Sequence, residues 1–351
     1  MKLLFVGSKD NLDLERIGGI ESVMRRLLDF LKQKDFDISV LVIDSVHKEN
    51  QFYQSAYGKI PIRTTDVKSA RKFLLTEKFD VINFLKTPFE NPIFALKFLF
   101  VKFKSGTITT KLFFTYPTVA NLTFLQKLKL KLLIDETFLF SKRLEKEIRK
   151  FNNNVTFLYP PVSERFFNKK HREKTSQKKI LFVGRISADK GIEIVIDVFS
   201  NLDKRYFETG IVGYFSTEED KEKYEKKIKN LNADYIQIGE RKSGETNELN
   251  LREYDILLLP YQDLSPTLDT PLLLLEGLAS GCKIVTSDIE PINEIKGNIY
   301  FVEDYKNSAE FIKITEEISE KESIDYNHEF SLEKVGANYL NSLAKHNVKV
   351  S

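Results

Sequence analysis

Short β-branched or aromatic runs alternate with amphipathic stretches along the whole chain, and this leaves few folds open. It is the pattern of βαβ units, in which each parallel pair of strands needs a crossover between them. In the first half, residues 2–6, 38–43, 80–84, 111–114, 137–140 and 155–159 are predicted strands. In the second they are 180–183, 209–212, 235–238, 255–259, 283–286 and 299–302. Each half reads as a doubly wound sheet of its own. Ile20, Val23, Met24, Leu27, Leu28 and Leu31 follow helical spacing directly after Gly18-Gly19, and Ile192, Val195, Ile196 and Phe199 repeat it after Lys190-Gly191. Pro160-Pro161 and the charged run 168–174 read as a linker. Leu332, Val335, Tyr339 and Leu343 predict a terminal helix. The expected division is 1–163, 164–328 and a helix in 329–351.

At 42% hydrophobic and 30% charged, 351 residues can bury a sizeable core, which excludes a disordered tail or fibrous repeat. No apolar stretch approaches the ~20 residues of a spanning helix, and residues 1–6 are too brief for a signal sequence. A cytoplasmic protein is expected. Cys282 is the single cysteine, and His47, His171, His328 and His346 are scattered, so no structural metal is expected. Asp35-Phe36-Asp37 imitates a metal-binding pair of carboxylates but precedes a strand as a turn would.

The charge is unevenly divided. Residues 1–163 hold 27 Lys+Arg and 17 Asp+Glu, a charge of +10, and the remainder carries −7. A basic half suits an anionic membrane surface or a phosphorylated substrate. No motif for reading DNA or RNA accompanies it, so nucleic acid is not expected.

Open parallel sheets bind ligands at the carboxyl ends of their strands, where helix N-termini favour anions. Three elements fall there. Gly7 and then Gly18-Gly19 open the first helix, but the long insert between them argues against a dinucleotide fingerprint and a dehydrogenase; the plainer reading is a tight turn. In the second half, the strand at 180–183 runs into Gly184-Arg185-Ile186-Ser187-Ala188-Asp189-Lys190-Gly191. Arg185 and Lys190 can converge there on one anion such as a diphosphate, or remain ordinary solvated cations. The third element runs from Pro266 to Gly281. Thr270 is the expected N-cap and Pro271 the first helical residue, which leaves the amides of Leu272 and Leu273 free for an anion, and Gly281 closes the helix. Glu276, the one charge in that apolar helix, needs donors, either sugar hydroxyls or a basic side chain.

Phe182-Val183-Gly184-Arg185 with Lys190-Gly191, residues 255–260, Glu276-Gly277-Leu278-Ala279-Ser280-Gly281 and Val285-Thr286-Ser287-Asp288 resemble the donor-binding domain of the retaining family 4 glycosyltransferases with the GT-B fold. The order and spacing cover most of residues 179–303. Gly18-Gly19-Ile20-Glu21 resembles the family's glycine-rich loop, and Tyr159-Pro160-Pro161-Val162 the entry to its interdomain linker. The resemblance implies an α/β fold of two doubly wound Rossmann-like domains facing a cleft, with a C-terminal helix crossing back to the first domain. It implies that Arg185 and Lys190 hold the diphosphate of a nucleotide sugar and are catalytic. Gly18, Gly19 and Gly184 would line the donor, Glu276 would bind the ribose, and Gly239 would fall near the base.

Two departures stand out. The family's second glutamate, eight residues before the ribose-binding one, and the Phe-Gly pair after it are Leu268 and Thr270-Pro271 here, with Asp269 the nearest carboxylate and Asp269 and Thr270 expected at the donor; segment 113–117 takes the place of a histidine often found in the first domain. Chemistry survives without a side-chain base, because fixed cations and helix-end amides stabilise the charge that grows on a departing nucleoside diphosphate. The resemblance implies same-face attack with retention, no carboxylate nucleophile, no cofactor and no metal. The expected function is hexosyl transfer to a glycan or lipid-linked glycan. A non-catalytic binding subunit of the same fold is the alternative, motivated by Leu268.

In residues 94–104 and 125–133 lysines interleave with apolar residues. Such helices suit peripheral contact with anionic lipid, or else pack into the core with their lysines reaching out to water.

Overall fold

A computed structural model describes residues 1–9, 12, 14, 18–45, 48–85, 91–113, 123–167, 176–231, 233–239, 250–264, 268–321 and 328–347. The chain forms two compact units, Met1–Pro161 with Glu329–Ser351 and Val162–His328. Each is an α/β unit around its own sheet.

The first unit runs β1 (Lys2–Ser8), α1 (Gly19–Gln33), β2 (Asp37–Ile43), β3 (Lys48–Ser55), β4 (Gly58–Thr65), α2 (Val67–Thr76), β5 (Val81–Leu85), α3 (Pro92–Ser105), β6 (Ile108–Phe113), α4 (Phe124–Leu133), β7 (Glu136–Leu139), α5 (Glu145–Arg149) and β8 (Val155–Phe157). Its strands lie in the order β3-β4-β2-β1-β5-β6-β7-β8, all parallel except β3, which is antiparallel to β4. The sequence pattern does not predict the β3–β4 hairpin. Lys48 to Gln51 contain no apolar residue, and an edge strand needs no apolar face on its open side. Tertiary contacts hold it instead: the Tyr53 hydroxyl donates to Asp29 at 3.2 Å. Helices α2, α3 and α4 cover one face of this sheet, where Ala70, Leu74, Phe94, Phe98, Leu130 and Leu133 meet Leu4, Val6, Ile82 and Phe84.

The second unit runs β9 (Lys178–Ile186), α6 (Ile192–Asn201), β10 (Phe207–Phe215), α7 (Glu218–Lys229), β11 (Tyr235–Ile238), β12 (Ile256–Leu259), α8 (Leu272–Ala279), β13 (Lys283–Ser287), β14 (Ile299–Val302) and α9 (Ser308–Ser319). All six strands are parallel, in the order β11-β10-β9-β12-β13-β14. The chain leaves β9 toward β10 and β11 and then returns to β12 on the other side. The switch point of the sheet is therefore between β9 and β12, where ligands of doubly wound sheets bind.

The terminal helix α10 (Leu332–Ala344) belongs to the first unit. A side chain at Gly336 would meet the Phe30 ring at 2.3 Å, so α10 and α1 pack almost backbone to ring. The Tyr339 hydroxyl donates to Asn83, which also accepts from Thr110 at 2.6 Å, and His346 Nε2 lies 2.9 Å from Glu136. Asp35-Phe36 closes α1: Asp35 is left-handed (φ 60°), its amide donates to Lys32, and the Phe36 amide donates to Leu31.

Candidate functional site

At the switch point, the end of β9 bends into a 3-10 turn, Ala188–Lys190, and then into α6. Gly191 joins the two with φ +73°, and a Cβ there would stand 1.9 Å from the Pro260 carbonyl oxygen at the end of β12. Only glycine permits that approach in that conformation. The turn is also stitched to the loop after β12, since the Asp189 carbonyl accepts from the amides of Gln262 (2.9 Å) and Asp263 (3.2 Å).

This scaffold gathers a compact charge cluster. Arg185 donates to Ser187 Oγ at 3.2 Å and to Asp189 Oδ2, and the Ser187 hydroxyl donates to Asp189 Oδ1 at 2.6 Å. Lys190 Nζ lies 3.4 Å from the same Asp189 Oδ2 and 5.0 Å from the centre of the Tyr261 ring. The two cations expected to converge on one anion do converge, and the anion is Asp189. Burial works against the Asp189 carboxylate, but the Ser187 hydrogen bond and the charges of Lys190 and Arg185 outweigh it and hold its pKa below the usual range. Lys190 is 9% exposed, and its ammonium is close enough to Asp189 for charge attraction but has no hydrogen-bond acceptor among the described residues. Burial lowers its pKa to about 8, against the attraction of Asp189. Tyr261 is buried and its hydroxyl is pushed up by burial and by Asp189, so it is a neutral wall to the cluster.

Beside the cluster, the carboxyl ends of β9, β10 and β11 carry a row of glycines. Gly184 (φ +140°) is in register with Gly213, whose Cβ would stand 2.3 Å from the Gly184 carbonyl oxygen, and the Gly239 amide donates to Gly213 at 3.1 Å. On the other side of β9, the loop after β12 leads to α8. Thr270 is not its N-cap: Pro271 occupies that position with extended backbone (ψ 125°) and no capping side-chain bond, and Leu272 is the first helical residue. The fixed φ of proline suits the position before the helix as well as the one inside it, which is why sequence placed the boundary one residue early. Leu274 is the first amide bonded back to Pro271, so those of Leu272 and Leu273 precede the intrahelical ladder. Leu272, Leu273 and Glu276 share the half-exposed side of α8, while Leu268, Asp269 and Thr270 are buried. Gly277 presses α8 onto the sheet, where a Cβ would meet Leu257 at 2.4 Å. Gly281 (φ +78°) ends it with paired bonds from Gly281 to Leu278 and from Cys282 to Gly277.

With this geometry in place, the comparisons with known proteins fall into line. Residues 163–332 match the family model described as glycosyl transferases group 1. Over those residues the chain is similar to a glycosyltransferase group 1 domain. Over the whole chain the fold is that of GT-B glycosyltransferases. A glycosyltransferase structure from Rickettsia africae is similar at 15% identity and TM-score 0.71, covering 100% of this chain and 99% of that one. The Anabaena HepE structure in complex with UDP is similar at 11% identity and TM-score 0.68, covering 98% and 100%. The apo structure of the lipopolysaccharide outer core galactosyltransferase WaaB is similar at 15% identity and TM-score 0.61, covering 98% and 99%. No curated protein matches in sequence.

The segment that matches the family model thus holds Gly184, Arg185, Lys190, Gly239, Asp269, Thr270, Leu272, Leu273 and Glu276. Gly18 and Gly19 lie in the other unit, at the start of α1. Gly18 is extended (φ −173°), and a Cβ on it would meet the Glu21 carboxylate. Segment 114–117 and the linker run 168–174 lie outside the described residues. Sequence reasoning missed Asp189, Ser187 and Tyr261 as members of the cluster. The signal was available for Asp189, which stands four residues after one cation and next to the other.

Proposed function

We propose that the group 1 domain binds a nucleotide diphosphate sugar and that the protein transfers the hexosyl group, with retention, to a glycan or lipid-linked glycan. The observation that carries this reading is the Lys190 ammonium, nine-tenths buried beside the Arg185 guanidinium and, among the described residues, without a hydrogen-bond acceptor. A buried donor in that state calls for a partner, and a diphosphate oxygen supplies one. The UDP in the HepE structure supports a nucleoside diphosphate as that partner.

In this reading Asp189 holds the two cations together, and the diphosphate adds to the cluster at the switch point. The amides of Leu272 and Leu273 face the same anion, Gly239 leaves room for the base, and Glu276 accepts from the ribose hydroxyls. As the glycosidic bond breaks, negative charge grows on the phosphate, and Arg185 and Lys190 stabilise it without reorganisation. The acceptor hydroxyl attacks from the face the phosphate leaves, and its proton passes to the departing phosphate. Neutralisation by these side chains makes a metal unnecessary.

Thermal stabilisation by a panel of nucleotide sugars tests the reading first, since a ligand of the folded state raises its melting temperature. Product formation from the stabilising donor then tests transfer. A panel without effect on either would overturn it. Leu268, 4% exposed where a donor-contacting carboxylate is expected, favours a second reading: a non-catalytic binding subunit. Donor binding without transfer to any glycan or lipid-linked glycan would decide for it.

A further inference from the structure

Helices α3 and α4 have apolar side chains on both sides. Inward, Phe94, Ala95, Phe98, Leu130 and Leu133 complete the core of the first unit. Outward, Phe100, Phe103 and Phe124 are 72, 80 and 78% exposed, with Leu96, Leu125 and Leu132 beside them. Of thirteen exposed large apolar or aromatic residues among the described ones, eight are on these two helices. That concentration distinguishes a functional patch from the single exposed apolar residues of any surface. The two helices are riveted side by side, since Lys102 donates to the Leu133 carbonyl at 2.9 Å and to Asp135 at 2.7 Å. Among the described residues no helix is long and apolar enough to cross a membrane, so the patch is not part of a span.

Charge identifies the occupant. Residues 91–134 contain seven lysines and no aspartate or glutamate. Lys97, Lys104 and Lys131 are exposed alongside the apolar side chains. A second copy docking through the same face would set these lysines against their own kind. An anionic bilayer matches both features, its headgroups pairing with ammonium groups while aromatic and leucine tips enter the acyl boundary. We propose that the outward face of α3 and α4 docks on the surface of an anionic lipid bilayer. The surface belongs to the first unit and the candidate donor site to the second, and the proposal does not rest on the transferase reading.

Vesicle flotation of the full chain tests it, with phosphatidylcholine alone and with phosphatidylcholine mixed with phosphatidylglycerol. The protein is expected to float with the anionic vesicles at low ionic strength and to be released by salt. Lys97→Gln, Lys104→Gln and Lys131→Gln should each lower partitioning about five-fold, and the double variant Phe100→Ser, Phe103→Ser at least about ten-fold. The chain has no tryptophan, so Phe103→Trp places a single reporter in the patch. Its emission should shift to the blue on anionic vesicles and be quenched by brominated acyl chains. Absence of flotation together with unshifted emission would overturn the proposal, as would full binding by the double phenylalanine variant. A blue shift that follows protein concentration without lipid would overturn it in favour of self-association. UDP calorimetry on the same preparations reports the donor site separately.

Discussion

Both units open with a strand, a loop and a helix, and both loops bring glycine to the start of that helix. In the loop before α1, Gly18 has extended backbone that any residue adopts, and the nearest atoms to an added Cβ belong to the flexible Glu21 carboxylate. In the loop before α6, Gly191 is left-handed and pressed against the Pro260 carbonyl, and the residues before it form the Arg185–Asp189–Lys190 cluster. The same sequence signal serves side-chain placement in one unit and backbone approach in the other. A glycine before a helix therefore says that space is short, and the neighbouring element says what fills it.

The largest effect expected from this contrast is catalytic. Arg185→Ala or Lys190→Ala should lower kcat by about 10²- to 10³-fold, the loss typical of one preorganised donor, in a transfer assay with the donor found by thermal stabilisation. Wild-type turnover in both variants would remove the cluster from the mechanism. Next comes stability. Gly191→Ala imposes a left-handed alanine and a clash with backbone, and should cost about 3 kcal/mol or more in urea unfolding.

A third test uses pH. Lys190 has its pKa lowered to about 8 by burial, so it loses its proton as pH rises through that value, and turnover and diphosphate affinity should fall with it. Folding has the opposite sign: unfolded chains hold the lysine proton to higher pH, so this group's contribution makes the free protein more stable as pH rises past 8. Asp189→Asn removes an attraction that raises the Lys190 pKa, so the alkaline limb of the pH–rate profile should move toward lower pH. An unmoved limb would assign it to another group. The smallest effect belongs to Gly18→Ala, where the Glu21 carboxylate can swing aside; about 1 kcal/mol or less is expected from the same unfolding measurement. A cost equal to that of Gly191→Ala would erase the distinction between the loops.

Residues 180–183 and 256–259 were legible as strands because a strand covered on both faces reads as an unbroken apolar run. The β3–β4 hairpin was not, because its polar edge strand is held by contacts such as Tyr53 to Asp29 rather than by its own pattern. Arg185 and Lys190 were legible as a pair from their place between strand and helix. Asp189 was passed over because a carboxylate between two cations reads as a local surface pair until the fold half-buries it.

Sequence by itself determined the two doubly wound sheets, the order along the chain of their strands and helices apart from the β3–β4 hairpin, and the loops at their carboxyl edges. Periodicity and glycine placement are local properties, and local properties survive without knowledge of neighbours. Only the tertiary structure decided that Lys190 is buried without an acceptor among the described residues, that Gly191 abuts Pro260, and that one side of α3 and α4 is exposed. Burial and exposure depend on which distant elements arrive to cover a side chain, and no stretch of a chain carries that information alone.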